Sequence, residues 1–105
     1  MNVEDINDLS SKIITSMDKA SFPNMLRIVD KMNFKDEYDK IDMDMFLKIF
    51  YNNIVNAYQD TKEEKLYTMS TVVNETMKRL NFDSRLNKKI LFTDMLIKLW
   101  RYSRQ

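Results

Sequence analysis

In 105 residues the chain holds no glycine and a single proline, and this restricts its turns more severely than any motif restricts its function. Glycine reaches positive φ without a Cβ penalty. A chain lacking it is poorly suited to type I′ and II′ hairpins, to left-handed helix caps and to loops that wrap a phosphate. Helices joined by ordinary residues are what remains. Cysteine and histidine are absent as well, which removes the imidazole base, the thiolate nucleophile and every Cys/His zinc site. The expected role is contact rather than catalysis: no enzyme activity, no cofactor, no metal and no small-molecule substrate.

Hydrophobic residues make up 44% and charged residues 31%, too apolar for a disordered chain. A chain this long suffices for one core, burying about two thirds of the surface that the unfolded chain exposes. One helical domain over residues 1–105 is expected. No uncharged apolar stretch approaches the ~20 residues of a membrane span, and no charged segment leads into an apolar leader. A cytoplasmic protein without disulfides or membrane contacts is the consistent reading. The net charge is +1, but residues 1–60 carry 7 Lys/Arg against 11 Asp/Glu and residues 61–105 carry 10 against 5. The simplest account is solvated helix faces, with two ends able to meet neighbours of opposite sign.

Hydrophobic periodicity predicts five helices. The first, over about 3–19, aligns Val3, Ile6, Leu9, Ile13, Ile14 and Met17. A second, over about 22–33, has Ser21 as its cap, Pro23 in its first turn, and a stripe of Met25, Ile28, Val29 and Met32. The third, over about 40–60, carries Met43, Phe46, Leu47, Phe50, Ile54, Ala57 and Tyr58 and should be central. The fourth, over about 63–81, lines up Leu66, Met69, Val73, Met77 and Leu80 on one face. Its acidic start, Glu63-Glu64, suits the positive end of a helix.

The fifth helix, over about 84–102, is apolar on two sides. Phe92, Met95, Leu96 and Leu99 form one group and Leu86, Ile90, Ile97 and Trp100 another, separated by a narrow polar strip of Asn87, Asp94, Lys98 and Arg101. A helix apolar on two sides must be covered on two sides, by its own domain or by a partner. Phe92, Met95 and Leu99 are expected to face the domain's own helices. Ile90, Ile97 and Trp100, with Arg101, form the candidate interface.

Other clusters point to less. Asp36, Glu37, Asp39, Asp42 and Asp44 lack the glycine and the ligand spacing of a calcium loop and read as a solvated loop leading into a helix N-terminus. Arg85, Lys88, Lys89, Lys98, Arg101 and Arg104 form no single stripe, and the small net charge argues against direct, specific nucleic-acid binding. The nine methionines are accounted for by core filling.

Two stretches carry a family resemblance. The first is Met77-Lys78-Arg79-Leu80-Asn81-Phe82-Asp83-Ser84-Arg85-Leu86-Asn87-Lys88-Lys89-Ile90-Leu91-Phe92-Thr93-Asp94-Met95-Leu96-Ile97-Lys98-Leu99-Trp100. It resembles the end of the C-terminal helical domain of bacterial DNA polymerase III clamp-loader subunits, most closely the delta-prime type, with gamma/tau having a related domain. Phe46-Leu47-Lys48-Ile49-Phe50-Tyr51-Asn52-Asn53-Ile54-Val55 is similar to the family's long helix with an aromatic midpoint. Asn52-Asn53 stands where many relatives have Arg-Asp, so any contact made by that pair is not carried over.

The resemblance implies an all-α, five-helix collar domain, the C-terminal part of a longer AAA+-type subunit whose Met1 is not native. In this family such domains from five subunits pack into a ring that supports sliding-clamp loading during DNA replication. The implied partners are the other clamp-loader subunits, and the ATPase chemistry lies in domains that this chain does not contain. A subunit within a ring needs two different interfaces, which suits a two-sided terminal helix. The alternatives are a stand-alone helical adaptor using the same helix face and a small helical nucleic-acid binder.

Overall fold

The computed structural model describes residues 3–17, 43–82 and 87–104, together with Pro23, Asn24 and Arg27. The fold is all-α. Among the described residues there are four helices: α1 (Val3–Ser16), α2 (Met43–Thr61), α3 (Glu64–Phe82) and α4 (Lys88–Ser103). Of the second helix expected over 22–33, Pro23, Asn24 and Arg27 are helical and exposed, and Arg27 Nη1 donates to Asn24 Oδ1 at 3.3 Å. Its cap Ser21 and its stripe lie outside the described residues, as do Asp36, Glu37, Asp39 and Asp42.

The helices form where periodicity places an apolar stripe. In α1, Ile6 and Ile13 are buried, with Met17 just past its end, and Leu9 and Ile14 pack beside them; Glu4 and Asp5 occupy the first turn, where the helix dipole favours a negative charge. α2 buries Met43, Phe46, Leu47, Phe50 and Ile54. It packs against α1 on one side and α3 on the other, and α3 packs in turn on α4. This is the central position expected of it. The Phe46 ring lies 5.7 Å from Phe50 along the helix and meets Phe92 of α4 edge-on, with centroids 5.3 Å apart. Side chains from all four helices join in one core cluster.

Three polar residues of α3 and α4 share the buried stripes without being left unpaired. Ser70 Oγ donates to the Tyr67 carbonyl at 2.6 Å and Thr76 Oγ1 to the Val72 carbonyl at 2.9 Å. Ser103 Oγ donates to the Trp100 carbonyl at 2.7 Å and lies 3.5 Å from the Met17 carbonyl, which sets the C-terminal end of α4 beside that of α1. Hydroxyls that bond a carbonyl three or four residues back can enter an apolar face at small cost. Among the described residues, no buried side-chain nitrogen or oxygen lacks a partner.

Asn53 is also structural. Its Nδ2 donates to Asn7 Oδ1 at 2.9 Å and to Ser10 Oγ at 3.0 Å, joining α2 to a fully buried serine of α1. Asn53 therefore serves the internal packing, while Asn52 is exposed.

The missing glycine is felt between α2 and α3. Lys62 takes φ 59°, and its N–H closes on the Tyr58 carbonyl at 2.6 Å, ending α2 in a left-handed cap. Thr61 Oγ1 accepts from the Glu63 N–H at 3.3 Å and donates to the Ala57 carbonyl at 3.0 Å. The left-handed conformation costs a non-glycine residue about 1–2 kcal/mol. Lys62 Nζ lies 5.7 Å from the Tyr58 ring centroid, an exposed cation–π contact that offsets about 0.5 kcal/mol of it.

Two stability predictions follow from this packing. Phe50→Ala, at a fully buried site, should lose about 3–5 kcal/mol, visible as a large drop in the thermal melt; an unchanged melt would remove α2 from the centre of the core. Lys62→Gly should gain roughly 0.5 kcal/mol, because relief of the left-handed strain exceeds both the added unfolded-chain entropy and the lost ring contact. Lys62→Ala, which keeps the strain, should show no gain in the same melt.

Candidate protein-interaction site

Asn87 starts α4. Its backbone is extended at φ −69° and ψ 115°, and its Oδ1 accepts from the Ile90 N–H at 3.1 Å, an N-cap that satisfies one of the free donors of the first turn. This corrects the expected start at 84. The cap falls on the asparagine because its short carbonyl reaches back to the third helical residue.

From that start, the wheel of α4 sorts its side chains. Leu91, Phe92, Met95, Leu96 and Leu99 are all buried, so Phe92, Met95 and Leu99 face the domain interior. On the opposite side Ile90 is 67% exposed and Ile97 half-buried. Both line a shallow groove of about 390 Å³ with Lys89, Thr93 and Asp94. A second depression of about 500 Å³ adjoins it, sharing Ile90 and Asp94 and reaching Arg79 at the end of α3 and Lys98. Tyr67 and Phe82 are also exposed but line neither depression.

Asp94 is the electrostatic centre of this face. Its Oδ2 lies 3.0 Å from Lys98 Nζ one turn along α4 and 3.1 Å from Arg79 Nη1 across on α3. The hydrogen bond from Lys98 lowers its pKa most; partial burial pushes the other way, and the Arg79 guanidinium adds to the lowering. Asp94 therefore stays ionised at neutral pH and pins the end of α3 to α4. Two cations share one carboxylate, so the face keeps a positive surplus.

Of the residues expected at the interface, the structure brings Ile90 and Ile97 together, and Arg101 stands exposed one turn beyond Ile97. Trp100 lies outside both grooves. It is half-buried, packs against the core cluster, and has the Arg104 guanidinium 4.9 Å above its ring. At about 100° per residue Trp100 falls nearer the buried Leu96 than Ile97, so it closes the edge of the core. Leu86 lies outside the described residues. Sequence reasoning missed Arg79, Thr93 and the burial of Leu91. Arg79 is 15 residues from Asp94, beyond any helical spacing, so no local pattern could pair them.

What the arrangement offers chemically is an apolar floor with a charged rim. No helix among the described residues is long and apolar enough to cross a membrane. The chain matches no protein-family model, no curated protein and no solved structure.

The ionic link yields a pH-dependent prediction. Asp94→Asn should destabilise the domain at neutral pH by about 0.5 kcal/mol, since the pair is solvent-screened. Because the folded pKa lies below the unfolded one, this contribution is present above the ordinary carboxylate range and is lost as pH falls through the folded value. Melts of the two proteins should therefore differ slightly at pH 7 and coincide in strong acid. A gap that persists or widens in acid would show that Asp94 acts through packing instead.

Proposed function

We propose that the chain is a non-catalytic assembly domain that meets partner proteins through the outer face of α4. Its partners, in this reading, are neighbouring subunits of a bacterial, cytoplasmic clamp loader, packed in a collar that supports sliding-clamp loading. One observation carries the assembly role. The terminal helix spends its larger apolar residues on the core and still presents Ile90 and Ile97 to a groove with a charged rim. An apolar residue as exposed as Ile90 beside a second one is surface that a partner can remove from water. The choice of a clamp loader rests on the sequence likeness over Met77 to Trp100.

Ile90→Asp is the sharpest probe. The site is exposed and lies in the first turn of α4, where an acidic side chain suits the helix dipole, so the melt should move by less than about 0.5 kcal/mol. Co-elution with reconstituted clamp-loader subunits in size exclusion should weaken about ten-fold or more, equivalent to about 1.4 kcal/mol. Undiminished co-elution would rule out this face as the contact, and failure of the unmodified chain to join the other subunits would rule out the collar.

A further inference from the structure

Resting on the reading of the α4 face as a docking surface, we infer that its occupant is an acidic amphipathic helix of the partner. Ile90 and Ile97 lie two turns apart on one side of α4, a rise of about 10 Å. That spacing suits a partner helix that inserts apolar anchors at i, i+3 or i+4, and i+7. The two adjoining depressions, of about 390 and 500 Å³, share Ile90 and Asp94; the first holds both isoleucines and the second is rimmed by Arg79 and Lys98.

The rim sets the charge of the occupant. Arg79 and Lys98 converge on a single oxygen, Asp94 Oδ2. Arg79 reaches it through one nitrogen of a guanidinium with five N–H donors, and Lys98 spends one of three. A second carboxylate placed beside Asp94 has donors ready for it and would neutralise the remaining positive charge. Arg101, exposed one turn past Ile97, extends the same sign along the helix. Glu or Asp flanking the partner's apolar stripe completes both features of the face.

Two other occupants fit less well. A nucleic-acid backbone would use the cations but leave the Ile90 and Ile97 floor wet. In a second copy of the chain, α1 offers exposed Glu4, Asp5 and Asp8, but its apolar Ile6 and Ile13 are fully buried and supply no anchors.

The test titrates the isotope-labelled 105-residue protein with three probes at about 0.1 M salt. One is a helix-stapled peptide with leucines at i, i+4 and i+7 and glutamates between them. The second has each glutamate replaced by lysine, and the third is a thymidine oligonucleotide. The glutamate peptide should shift the amides of residues 89–98, bind at least about ten-fold tighter than its lysine counterpart, and weaken several-fold in Arg79→Gln and in Ile90→Asp. Equal or tighter binding of the lysine peptide on this face overturns the acidic occupant while leaving the docking surface standing. So does tighter binding of the oligonucleotide to the same residues, which would make the occupant nucleic acid. Shifts confined to other residues, or no binding of the glutamate peptide below about 1 mM, overturn the inference as well; the assembly reading is judged separately by the Ile90→Asp reconstitution.

Discussion

The edge-on contact between Phe46 and Phe92 is the point on which the molecule turns. α2 packs on both α1 and α3, and its aromatic side also reaches α4, where Phe46 meets Phe92 with 5.3 Å between centroids. Edge-to-face rings are directional, adding about 0.5–1.5 kcal/mol beyond the burial of their area. Together with the buried Leu91, Met95, Leu96 and Leu99, the contact orients α4 about its own axis. With Phe92 inward, Ile90 and Ile97 must turn outward, because the 3.6-residue repeat separates them from the buried arc. The outer face is thus a consequence of core packing.

Around that core the polar interactions divide by depth. Ser70 and Thr76 pair with carbonyls of their own helix and so impose no register on their neighbours, whereas Ser103 also meets the Met17 carbonyl at the end of α1. Asn53, by contrast, bridges two helices and meets a buried serine, where removing one partner would leave the other unsatisfied. The Arg79–Asp94–Lys98 group is exposed and correspondingly weak as a source of stability. Its significance is the potential it leaves on the surface.

Periodicity made α1, α2 and α3 legible, since Ile6, Ile13, Phe46, Phe50, Leu66 and Val73 recur at helical spacing and prove to be core. The reversal at Lys62 could be foreseen only in kind: absence of glycine implies that some residue is forced into the left-handed region, but not which one. At α4 the pattern was ambiguous because apolar residues ring most of the helix. Ile90 and Trp100 fall in the same apolar group of the sequence, yet one is exposed and the other lies against the core. Spacing ranks them but does not say where the buried arc ends, since that edge depends on how the rest of the core packs on α4. Nor could it find Arg79 as the partner of Asp94, a pairing made by the way α3 and α4 cross.

Ser103 brings the C-terminal ends of α1 and α4 together, and the backbone dipoles of the two helices consequently present their negative poles at the same corner. Like poles side by side repel, each equivalent to roughly half an electron charge. α1 has no basic residue in its last turn, whereas α4 has Arg101 there and Arg104 at its cap. Stacked on the Trp100 ring, the Arg104 guanidinium is held at the cap of α4, beside that helix's negative pole. The tryptophan thus acts as a mount for a counter-charge at the end of α4, while α1 carries no basic residue in its own last turn.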